Sequence, residues 1–257
     1  MMIELLDRQQ VFKLNKTFAS FIAGVQNAMY NPMLDYNKYT PGVMYVDSSD
    51  KPRFVSQEEC DKWNEQAFES YLKRKDKVEP FAIDEKHAGE VIYKLTSAAD
   101  IPAYIDNLSD TIVAFADRLH WQAVVFLLDY STPWLHQDND YKPVKEALDY
   151  LKSKGVDAHF NGGFKASGED LKELIKNLFW LIRCNAALPC CYFSGIDKEF
   201  TADICQYGNI HFHFYSQHDK MEVENLASEL GMVSVENGNC MDNFSSTGAI
   251  EGRQIIV

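Results

Sequence analysis

From Gly89 to Phe193 the chain alternates short apolar runs with longer stretches in which apolar side chains return every three or four residues. These are the periods of strands and helices. Glu90 to Leu95 reads as a strand, and a helix follows from about Ile101 to Leu119, with Pro102 tolerated in its first turn, where an N–H has no intrahelical partner. Trp121 to Leu128 is an apolar run, interrupted at Gln122 alone and ending at Asp129, the pattern of a strand covered on both faces. Pro143 to Lys154 is amphipathic and stopped by Gly155, Val156 to Phe160 reads as a strand, and Glu169 to Ala187 as a helix with Leu171, Leu174, Ile175, Leu178 and Phe179 on one side. Cys190 to Phe193 is the next strand after Pro189. Strands joined through helix-length crossovers are the signature of βαβ units, so an α/β fold is expected, with a mixed, largely parallel sheet flanked by helices.

The two ends of the chain differ from this centre. Phe200–Tyr207 and Ile210–Ser216 flank Gly208-Asn209, which predicts an antiparallel hairpin with a two-residue turn. Counting from that turn pairs Cys205 with Phe212 and sets Gln206 opposite His211 and Ile204 opposite His213. A helix from about Lys220 to Leu230 ends at Gly231, Glu236 to Gly248 reads as a loop, and Arg253 to Val257 as a last strand. Residues 1–88 form an irregular, helical amino-terminal subregion. It contains a helical pattern over residues 10–30, a loop rich in Tyr, Asn and Pro, and a helix over about 57–74 opened by the capping-box pair Ser56 and Glu59. With no repeat and no low-complexity linker, a single elaborated domain over 1–257 is expected, with 89–257 as its α/β core.

Charge narrows the function. Lys and Arg number 25 against 38 Asp and Glu, a formal net charge of −13. Binding to nucleic acid depends on clustered basic residues that release phosphate counterions, so nucleic acid is not expected as a partner. Anionic membrane is disfavoured for the same reason, and no apolar stretch approaches the ~20 residues that span a bilayer. The acidity could instead steer the chain toward a basic protein. The six cysteines show no C-x-x-C pair, the first residues lack the layout of a signal peptide, and reduced thiols in a cytoplasmic protein are the expectation.

Chemistry is suggested at several places and fixed at none. His211-Phe212-His213 would put two imidazoles on one strand face ~7 Å apart, and His159 on another strand is a conceivable third metal ligand; the alternative is an ordinary solvated or covered sheet face. In parallel α/β sheets ligands bind beyond the carboxyl ends of strands, so Asp129-Tyr-Ser-Thr132, Asn161-Gly-Gly163 and Ser194-Gly-Ile-Asp197 would line one crevice, with Asp129, Asp197 and His211 as acid, base or ligand. Turn-forming residues alone would also explain those segments. Nucleotide-binding glycine motifs and a nucleophile elbow are missing from the sequence, and no cofactor is implied. Asp138 and Asp140 read as caps or first-turn acids of the helix near Pro143. Tyr36, Tyr39 and Trp134, with Asp138 and Asp140, are the candidate contacts for a protein partner, since Tyr and Trp in loops favour interfaces. The expected function is therefore an acidic binding protein that sequesters or neutralises a protein partner in the manner of immunity proteins and antitoxins; the alternative is a small-molecule or metal-dependent enzyme working at the strand-end crevice.

Overall fold

The computed structural model describes residues 3–46, 51–78, 88–96, 98–137, 139–235, 240, 242, 244–245 and 249–254. Chain contacts divide it into two compact units, Met1–Phe21 with Val78–Val257, and Ile22–Lys77.

Among the described residues the larger unit is built on an eight-stranded sheet. In chain order its elements are β1 (Glu4–Leu6), α1 (Arg8–Leu14), the start of α2 (Lys16–Tyr30), β4 (Gly89–Lys94), α4 (Ile101–Arg118), β5 (Val124–Leu128), α5 (Lys142–Ser153), β6 (Gly163–Ala166), α6 (Gly168–Cys184), β7 (Cys191–Gly195), β8 (Phe200–Ile204), β9 (Ile210–Phe214), α7 (Gln217–Glu229) and β10 (Val233–Ser234). The sheet order is β1-β6-β5-β7-β8-β9-β4-β10, and every neighbouring pair is antiparallel.

This overturns the expected largely parallel sheet, and the reason is specific. The helix crossovers β4–α4–β5, β6–α6–β7 and β9–α7–β10 each join strands that run in the same direction, but none of these pairs is adjacent. Strand β5 stands between β6 and β7, and β4 stands between β9 and β10. Each interposed strand runs the opposite way and takes both ladders. A crossover length reports direction, whereas the neighbour in the sheet depends on where the chain lands.

The step from β5 to β6 also departs from the expected strand at Val156–Phe160. Residues 156–160 form a turn and loop rather than a strand, and the strand lies at Gly163–Ala166. The chain leaves β5 and re-enters β6 at the same end of the sheet. Trp134 N donates to Phe160 O at 3.0 Å, Trp134 Nε1 to Gly162 O at 2.8 Å, and Asn161 Nδ2 to Ser131 Oγ at 2.8 Å. Glycine is required at 163, because a Cβ there would stand 2.5 Å from Phe126 O.

One sheet face carries the main core. Phe126, Phe164, Phe193, Phe200, Phe212 and Phe214 are all but fully buried and belong to one cluster with the apolar sides of α4, α5 and α6. The opposite face is covered near β7 by α1 and the first residues of α2. Asn15 Nδ2 donates to Ser194 Oγ and Gly195 O at 3.1 and 2.8 Å, and the Phe21 ring packs edge-on against Tyr192.

The smaller unit holds the rest of α2, the two-stranded β2 (Met44–Val46) and β3 (Pro52–Phe54), and α3 (Gln57–Arg74). The predicted capping box at the start of α3 is present: Glu59 N donates to Ser56 Oγ, and Ser56 N donates to Glu59 Oε2. Gln26 on α2 exchanges two hydrogen bonds with Asp76 just past α3, at 2.6 and 2.9 Å. No helix among the described residues is long and apolar enough to cross a membrane.

Candidate metal centre

The hairpin of β8 and β9 brings the first two groups together. Its register is Ile204 with Ile210, Ala202 with Phe212 and Phe200 with Phe214, all on the core face, while Asp203 opposes His211 and Thr201 opposes His213 on the other. The expected pairing was three residues out. Cys205 and Asn209 close the ladder, with Cys205 N donating to Asn209 O, and Gln206-Tyr207-Gly208 is a three-residue loop whose Gly208 lies at φ +84. A turn finished by a left-handed glycine is a standard hairpin geometry. It wins here because it puts apolar residues opposite one another on the buried face; the two-residue turn would have set His213 against Ile204. On the opposite face Cys205 and His211 then become diagonal cross-strand neighbours.

The third group arrives from the carboxyl-terminal segment. The ligand atoms of Cys205, His211 and Cys240 all lie within 4.8 Å of one another, and His211 Nε2 is hydrogen-bonded to Cys240 Sγ at 3.1 Å. Asp242, two residues on, anchors this segment. Its carboxylate pairs with Arg183 Nη2 at 2.8 Å, and the two side chains are 1% and 3% exposed. Arg183, near the end of α6, also donates to Gln206 O in the hairpin loop at 2.9 Å and lies over the Phe244 ring. One buried guanidinium thus holds both the loop beside Cys205 and the strand of chain carrying Cys240.

Burial pushes the Cys205 thiol up to about 12, against the lowering effect of backbone N–H groups at Tyr207 and Asn209 and helped by neighbouring Cys240. Without a cation the thiol stays protonated, so it is a poor nucleophile and a ligand whose deprotonation a metal would have to drive. The cluster lines a cleft of about 420 Å³, which also has Cys190, Asp203, Asn185 and Arg253 on its walls. Burial, then the carboxylates of Asp129 and Asp203, pushes Cys190 up to about 11.

Of the three histidines proposed from sequence, only His211 belongs to this cluster. His213 shares its face, as the alternation required, but its Nδ1 lies 3.1 Å from Glu90 and its Nε2 3.8 Å from Asp203. Burial opposes its charge, and the two carboxylates outweigh that, so its pKa sits above the usual value. His159 is exposed in the turn before β6. The three segments expected to line one crevice are not all brought together: Asn161 meets Ser131, but Asp129 and Asp197 lie apart. Asp129 is buried beside Cys190, with its N–H on Cys190 O at 2.9 Å, whereas Asp197 is exposed at the other end of β7, where Ile196 N bonds Ala123 O. Antiparallel pairing of β5 and β7 puts these two carboxyl ends at opposite ends of the sheet.

Trp134 is 1% exposed and packs on Phe164, so its indole is a core group and not a surface contact. Asp140 is exposed, and α5 starts after Tyr141 with no side-chain cap and no acid in its first turn, contrary to the capping expectation. Asp138 lies outside the described residues. Tyr36 and Tyr39 belong to the smaller unit, both exposed. There Tyr39, Tyr45 and Trp63 meet pairwise at ring-centroid distances of 5.2–5.9 Å around a cleft of about 560 Å³. Arg53 lies over the Trp63 ring and pairs with Glu59 at 2.8 Å.

Cys205 and Cys240 were absent from the sequence-based ligand set. A cysteine and a histidine flanking a glycine turn was the available signal for the first; the second reaches the cluster only through tertiary contacts. No family model matches this chain, and comparison with curated proteins and with solved structures finds no similar one.

Proposed function

We propose that this protein binds a thiophilic divalent cation of the zinc class through Cys205, His211 and Cys240. The observation that carries the reading is the convergence of two thiols and an imidazole, from segments 29 residues apart, to within 4.8 Å. Two sulfurs and one nitrogen are a donor set that zinc accepts, with ~2.3 Å to sulfur and ~2.0–2.1 Å to nitrogen. Those bond lengths place tetrahedral ligands ~3.5–4 Å apart, so the cluster needs only small adjustments to close on a metal. The anchoring of both segments by Arg183 supports a preformed site.

The test is elemental analysis of the full chain after zinc loading and gel filtration. One zinc per chain is expected, falling below a tenth in Cys240→Ser and in His211→Ala. A wild-type chain that leaves the column metal-free, or a Cys205→Ser/His211→Ala double variant that keeps its zinc, overturns the reading.

A second reading, capture of a protein partner, has its own support. Of the eleven large hydrophobic residues exposed among the described ones, nine fall within residues 22–77, including Met44, Val46, Phe54 and Tyr36. Apolar exposure on this scale, beside a cleft of Tyr, Trp and Arg, has the composition of an interaction hot spot.

A further inference from the structure

The cleft gives the proposed metal more than a structural task. Structural zinc sites are closed by four protein ligands, whereas reactive ones have three protein ligands and a fourth position that faces a cavity. Here three ligand atoms converge among the described residues, and they do so on the wall of a cleft of about 420 Å³. That volume falls in the range of small-molecule pockets, roughly 300–1,000 Å³. Two of the three ligands sit on a hairpin whose other face is locked into the core, and the third is tethered by a buried ion pair, so the frame around the metal is stiff. The same wall carries polar groups that a ligand could meet: Asp203, directly across the strand pair from His211, and Asn185, Gln206 and Arg253 around the mouth.

Building on the metal reading above, we propose that the cation held by Cys205, His211 and Cys240 keeps one coordination position turned into this cleft. It takes an exchangeable oxygen donor there: water at rest, and a small carboxylate or hydroxamate as ligand. Two thiolates neutralise a divalent cation, so a monoanion entering the fourth position brings one net negative charge, and Arg253 on the cleft wall is of the sign to offset it. Asp203 is placed to accept a hydrogen bond from a metal-bound water, a positioning role through the ligand sphere. The competing arrangement is a fourth protein ligand, for which Cys190, on the wall of the same cleft, is the best described candidate.

Cobalt(II) substituted into the full chain distinguishes these. The visible ligand-field bands are recorded during titration with acetohydroxamate, in the wild type and in Cys190→Ser. The bands are expected to shift saturably with acetohydroxamate, and thiolate-to-cobalt charge transfer is expected to be equally strong in both proteins. Stoichiometric cobalt whose bands ignore acetohydroxamate, or charge transfer that drops by about a third in Cys190→Ser, would show a closed site and overturn the proposal while leaving metal binding intact. No charge-transfer band in the wild type would remove the metal reading and this proposal with it.

Discussion

Arg183 shows how one buried charge can organise a site it does not enter. Its guanidinium is matched by the Asp242 carboxylate, by Gln206 O and by the Phe244 ring, all on segments that flank the candidate ligands. A buried pair of this kind contributes little beyond what a well-packed apolar pair would, yet removing one partner strands the other charge. Asp242→Ala is therefore expected to lower unfolding free energy by about 3–5 kcal/mol in urea denaturation. The Arg183→Met/Asp242→Leu double variant should lose clearly less. A double variant as unstable as the single would show that Arg183 acts through its other contacts. Sequence offered little warning of this pair: Arg183 reads as the basic last-turn residue of a helix, and Asp242 as one acid in a polar loop.

At the level of the element, the β8–β9 hairpin decides which side chains share a face. Its loop depends on Gly208, whose φ of +84 is in the left-handed region and whose added Cβ would lie 2.5 Å from the Tyr104 ring. Tyr104 also donates from its hydroxyl to Gly208 O at 3.1 Å, so the ring has little room to withdraw. Gly208→Ala is expected to cost about 2–4 kcal/mol, combining left-handed strain with overpacking. Chemical denaturation measures the loss, and zinc retention at low denaturant should fall as well, because the loop positions Cys205. A stability change below ~1 kcal/mol would mean the loop relaxes into another turn. The hairpin was legible from Gly208-Asn209 and the alternating Ile-His-Phe-His-Phe of β9. Its register was not, since two loop lengths fit the same glycine and only the facing core chooses between them.

For the whole molecule, acidity and apolar exposure lie on different units. Residues 22–77 contain eight Lys and Arg against nine Asp and Glu, so nearly all of the −13 net charge belongs to the sheet unit. Acidity of that unit supports long-range steering of a basic partner, while the apolar surface of the smaller unit supports the contact itself. If a partner is captured there, Trp63→Ala and Phe54→Ala should each weaken a complex isolated from the native host by more than ~1 kcal/mol, measured by calorimetry, with zinc content unchanged. Full affinity in both variants would remove the partner reading from this surface.

What the sequence determined by itself was local. Capping of α3 by Ser56 and Glu59, the stop at Gly231, the buried run before Asp129 and the alternation of β9 follow from propensities and periods within a few residues. The common direction of β4 and β5, joined by α4, was also legible, because a helix-length crossover carries the chain back to the end of the sheet where the first strand began. Only the tertiary structure decided which strands became neighbours, which turned an expected parallel sheet into an antiparallel one and pulled Asp129 and Asp197 to opposite ends. It also brought Cys240 to Cys205 and His211. The physical reason is the same in each case: adjacency across the sheet, and contact between segments distant in the chain, minimise the exposed apolar area of the whole molecule, a quantity no local window contains.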